Sequence, residues 1–95
     1  MTIKADLLVM RSYLERGWNQ GSYATDAAGA VVRADDPKAV SWCLLGAMQK
    51  AKIKANTEAF IFNNFMTPVL YNESPQRTQA DILAKVDELI GIAPA

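Results

Sequence analysis

Apolar side chains recur at steps of three and four residues along most of this chain, and that spacing restricts its fold more than any other feature. Ile3, Leu7, Met10, Leu14 and Trp18 share one stripe, with Lys4, Asp6, Arg11, Glu15 and Arg16 on the other faces. This predicts an amphipathic helix over residues 3–17, ended at Gly17 where glycine tolerates a left-handed turn. A second stripe, Val40, Cys43, Leu44, Ala47, Met48 and Ala51, follows Asp36-Pro37, an aspartate cap with proline at the first helical position. The helix expected there spans Pro37 to about Lys52. Trp42 and Leu45 widen its apolar surface until it suits the middle of a small fold.

Asn56 or Thr57 is placed to cap a third helix through Phe60, Ile61, Phe62, Phe65, Met66 and Val69. Pro68 should end or kink it, or Thr67-Pro68 opens a separate short turn of helix. Tyr71 to Pro75 reads as a loop. Thr78 and Asp81 have the spacing of a capping box, and Ile82, Leu83, Val86, Leu89 and Ile90 give the last helix its stripe. Gly91 and Pro94 should stop it.

Only residues 18–36 lack helical spacing. Tyr23-Ala24-Thr25 and Ala30-Val31-Val32 flank Asp26-Ala27-Ala28-Gly29, which suits a short hairpin with glycine at the bend. A lone hairpin is marginal in water, so it must lie against helices. The expected fold is mainly α: one compact four-helix domain over residues 1–95, with a small β-hairpin between helix 1 and helix 2.

Composition excludes more chemistry than it suggests. Histidine is absent, which removes the usual neutral-pH base, the Ser-His and Cys-His pairs and the commonest metal ligand. Ten basic residues balance ten acidic ones, so no global field draws the chain to nucleic acid or an anionic membrane. The single cysteine cannot form an internal disulfide. Lys4, Asp6 and Arg11 break up the apolar residues Leu7 to Met10, so neither a signal peptide nor a membrane span is expected there. The expectation is a cytoplasmic protein with no cofactor, no metal and no nucleic-acid partner.

Each candidate site has a functional and a structural reading. Cys43, expected two turns into a helix, is either a reactive thiol or buried core, and its apolar neighbours favour core. Gly46 marks close approach of another element or a ligand seated on a smooth face. Trp18-Asn19-Gln20-Gly21 either lines a pocket or plugs the core beyond a helix end. Asp26, Asn72, Glu73 and Arg77 are turn formers and surface charges, or parts of a site if the two polar loops meet. The run from Gln49 to Lys54 reads as a solvated helix end.

The order Trp18-x-Gln20-Gly21, Ala24-x-Asp26, Gly29, Ala39-x-x-Trp42-Cys43-x-x-Gly46-Ala47, then Asn72, Pro75 and Arg77-Thr78 resembles a family of small uncharacterised bacterial and phage proteins. Tyr71-Asn72-Glu73 stands where that family tends to read Trp-Asn-Asp. The resemblance implies a shared fold and no mechanism. It suggests that Trp18, Gln20, Asp26, Cys43, Gly46, Asn72 and Arg77 converge.

The leading expectation is a non-catalytic binding or interaction protein that self-associates or takes a protein partner. Trp42, Leu45, Gly46, Phe60 and Ile61 are its candidate interface. The alternative is a small-ligand protein or minor enzyme with a pocket formed by Trp18, Gln20, Asp26, Asn72 and Arg77, on the 18–26 and 72–77 loops.

Overall fold

A computed structural model describes residues 2–94 and is mainly helical, with a small sheet between the first two helices. Helix α1 (Ile3–Arg16) starts at Thr2, whose hydroxyl accepts the Ala5 N–H. Its stripe of Leu7, Met10 and Leu14 is fully buried and forms the centre of the core. Helices α2 (Leu44–Ala51) and α5 (Gln79–Ile92) pack on either side of it, contributing Leu44, Ala47, Met48, Ile82, Val86 and Leu89. Arg11 ties α1 to α5 through a two-pronged contact with Asp87. The capping box at Thr78 and Asp81 is formed as expected, but α5 continues through Gly91 to Ile92.

The hairpin is present as β1 (Ala24–Asp26) and β2 (Val31–Val32), antiparallel with Ala24 opposite Val32. Asp26 Oδ1 accepts the N–H groups of Ala28 and Ala30, and Gly29 takes a positive φ at the bend. A third strand, β3 (Ala39–Trp42), pairs with the other edge of β1, giving the order β2-β1-β3.

This strand overturns the expected helix from Pro37. Asp36 does bond the chain just ahead, but in a turn: its carboxylate accepts the Lys38 N–H and its carbonyl the Ala39 N–H. The open edge of β1 then recruits Ala39–Trp42, because buried strand donors and acceptors need partners more than a local stripe needs a helix. Trp42 is buried, its indole N–H donating to the Ala34 carbonyl and its ring tilted against Tyr13.

Gly17 ends α1 in extended backbone, not in a left-handed turn. Glycine is required there for another reason. A Cβ would collide with the Val40 carbonyl, and this close approach lets Gly17 accept the Trp42 N–H.

The expected third helix stops short, and the alternative reading of Thr67-Pro68 holds, a separate short helix, so the described residues form five helices where four were anticipated. Helix α3 (Ala55–Asn64) ends before Phe65, and Pro68 opens α4 (Pro68–Glu73), which takes in Tyr71, Asn72 and Glu73 from the expected loop. Neither Asn56 nor Thr57 caps α3. Lys54 holds that position without a side-chain capping bond, and Asp6 of α1 supplies the acceptor instead, taking the Lys54 N–H and the Thr57 hydroxyl. No helix among the described residues is long and apolar enough to cross a membrane.

Candidate functional site

The short helix α4 exists because Pro68 supplies a preset φ at its first turn and needs no donor there. Its last turn delivers Asn72 into the interior, where the side chain is 1% exposed. Asn72 Oδ1 accepts two bonds, from the Trp18 indole N–H at 2.8 Å and the Leu44 backbone N–H at 3.0 Å. Its amide nitrogen donates to the Asn19 carbonyl and to Glu73 Oε2. One side chain therefore joins the first loop, the start of α2 and the end of α4.

Neighbouring bonds reinforce this junction. Gln20 donates to the carbonyls of Asn72 and Ser74, each at 2.8 Å. The Gly21 N–H donates to Glu73 Oε1 at 2.8 Å. Arg77 Nε donates to the Tyr71 carbonyl, and its guanidinium lies 3.6 Å from the centroid of the Tyr71 ring.

Beside the junction is a cleft of about 550 Å³. Gly21, Ser22 and Tyr23 form one wall, and Pro68, Val69, Asn72 and Glu73 the opposite one. Val31, Cys43 and Leu45 complete it. Cys43 is the N-cap of α2, and its sulfur accepts the Gly46 N–H at 3.3 Å. Burial pushes its thiol pKa up and the Glu73 charge adds to that; the N–H groups of Gly46 and Leu45 oppose the rise without cancelling it. The thiol is therefore protonated and a poor nucleophile at neutral pH. Its placement corrects the expected one, since it begins the helix instead of lying two turns inside, but it is buried as anticipated.

Gly46 is explained by protein, with no ligand needed: a Cβ would strike the Tyr23 carbonyl. That carbonyl also accepts the Cys43 N–H, so the residue just before β1 meets the start of α2 through bare backbone.

Four of the five residues proposed for a pocket cluster around the junction: Trp18, Gln20, Asn72 and Arg77. Only Asn72 reaches the cleft wall, while Trp18 and Gln20 hold Asn72 and Arg77 holds Tyr71. Asp26 lies apart, spent on the hairpin turn. Of the interface candidates, Trp42, Gly46 and Ile61 are buried within this chain and Leu45 and Phe60 half-buried. The wall residues Tyr23, Val31, Pro68 and Val69 escaped the sequence reading, having no signal there beyond ordinary strand and turn composition. No group of three or more His, Cys, Asp or Glu residues among those described is placed to hold a metal ion.

A family model described as "Family of unknown function (DUF6197)" matches residues 1–61. The chain belongs to this family. No curated protein and no solved structure matches it. The segment matched to DUF6197 holds α1, the sheet, α2 and most of α3, hence the first wall of the cleft with Cys43 and Leu45. Helix α4, which supplies Asn72 and Glu73, lies beyond the match.

Proposed function

We propose that this DUF6197 protein is a non-catalytic, cytoplasmic binding protein, and that its site is the cleft between residues 21–23 and helix α4, occupied by a small, largely apolar molecule. The observation that carries this reading is the cleft itself. Its volume of about 550 Å³ falls in the range of small-molecule sites, and most of its wall is aliphatic or aromatic. The polar junction behind it braces the walls in advance, which lowers the ordering cost of binding. The protonated thiol of Cys43 and the occupied amide of Asn72 favour binding over catalysis. Cytoplasmic placement is supported by the lone, unpaired cysteine.

An NMR screen of small apolar fragments against ¹⁵N-labelled protein tests it. Shift changes should concentrate at residues 21–23, Leu45 and Val69, and Val69→Glu should remove them. Fragments that perturb scattered surface residues, or none that bind, would refute the reading.

Self-association is a second reading, favoured by Met66 at 81% exposure just before α4 and Leu70 at 71% within it. Sedimentation of the wild type and of a Met66→Lys, Leu70→Lys double variant tests it. A concentration-independent monomer for the wild type would eliminate it.

A further inference from the structure

Among the described residues that line the cleft, Glu73 is the sole carboxylate or cation, and the side chains that share the lining with it, Val31, Leu45, Pro68 and Val69, are apolar. The carboxylate is fixed from behind by two neutral donors, the Gly21 N–H on Oε1 and the Asn72 amide on Oε2. Both donors orient it, and neither carries a formal charge to cancel its own. Among the described residues the ion pairs are Arg11–Glu15, Arg11–Asp87, Arg33–Asp35 and Lys85–Glu88, so Glu73 takes part in none of them. Arg77, four residues on, is held by the Tyr71 carbonyl and ring.

We infer that the cleft selects a ligand with a positive charge on an apolar body, an alkylamine or arylalkylamine, with Glu73 as its counter-ion. This rests on the reading of the cleft as a binding site and adds the charge of what it binds. Each Glu73 oxygen has one donor here and can accept another. An ammonium at the mouth would make charge-assisted hydrogen bonds to a carboxylate already ordered, so the entropy cost that weakens ordinary surface pairs is reduced. The aliphatic wall covers the hydrocarbon part of the same molecule. Carboxylates and phosphates of equal size meet the negative charge of Glu73, an exposed side chain, and bind more weakly.

The test is an NMR titration of the wild type and Glu73→Gln with n-hexylamine, 1-hexanol and hexanoate. In the wild type hexylamine should bind about tenfold more tightly than hexanol, with hexanoate weakest. Glu73→Gln should bring amine and alcohol to similar affinity. Raising sodium chloride to about 0.5 M in the wild type should weaken hexylamine several-fold and leave hexanol unchanged, a readout independent of how well the variant folds. Equal affinity for amine and alcohol in the wild type, or a salt-insensitive amine, overturns the charge selection while the binding cleft stands. Failure of all three probes to bind at residues 21–23 and α4 overturns both.

Discussion

Asn72 accepts the indole N–H of Trp18 at 2.8 Å across 54 positions of sequence, and the two side chains bring the loop after α1 against the last turn of α4. The same oxygen accepts the first free backbone N–H of α2, at Leu44. Asn72→Ala would leave these donors without their acceptor in a buried place. Each such group costs about 1–3 kcal/mol, so a loss of about 3 kcal/mol is expected, since some relaxation toward water will occur. Urea denaturation checks the loss, and the Trp18 emission should shift to the red as its indole is released.

Two helix glycines should respond to alanine with opposite signs. Gly91→Ala meets no atom within 4 Å and should stabilise the end of α5 by about 0.5–1 kcal/mol. Gly46→Ala gains the same local preference but drives a Cβ into the Tyr23 carbonyl. Displacing that backbone also strains the Cys43–Tyr23 hydrogen bond, for a net loss of about 1–3 kcal/mol. Paired thermal melts of the two variants decide the matter.

Asp6 is 1% exposed, with Oδ2 bonded to Thr57 and Lys54 while Oδ1 has no hydrogen-bond partner among the described residues. Burial pushes its carboxyl pKa up, but the Thr57 hydroxyl, the Lys54 N–H and the Lys54 charge together outweigh that and hold it below the usual 3.8. A lowered folded-state pKa contributes stability that is present above 3.8 and lost as pH falls through the folded value. Acid titration of unfolding free energy should therefore steepen below about pH 4 in the wild type and less in Asp6→Asn. Asp6→Ala should cost about 2–4 kcal/mol at neutral pH, because the Thr57 hydroxyl and Lys54 N–H lose their acceptor.

Cys43 should resist iodoacetamide at neutral pH in the folded protein, reacting at least about tenfold more slowly than in urea. Mass spectrometry of timed aliquots reads the rate directly. Rapid native labelling would contradict the buried, protonated thiol at the start of α2.

The elements legible in the sequence are those whose signals are local. Thr78 and Asp81 cap α5 within four residues, the stripe of α1 repeats over about three turns, and Gly29 bends a hairpin whose strands adjoin it. Gly46 was legible as a point of close approach, since a glycine inside a helix asks for an offsetting contact. What covers it, the Tyr23 carbonyl, lies 23 positions earlier and leaves no mark on the residues around Gly46. The junction was half legible: Trp18, Gln20, Asn72 and Arg77 stood out as polar or aromatic groups in loops, whereas Glu73 gained its fixed position only through the Gly21 N–H and the Asn72 amide.

By itself the sequence determined a mainly helical chain with a small hairpin, the buried faces of its first and last helices, and a lack of histidine chemistry. These follow from side-chain spacing and composition, which act over a turn or two. Tertiary structure alone decided that Ala39–Trp42 is a strand, which of the two readings of Pro68 holds, and that two distant loops enclose one cleft. The reason is hydrogen-bond demand. The free edge of β1 and the uncapped start of α3 had donors and acceptors to satisfy, and the partners that met them came from remote parts of the chain.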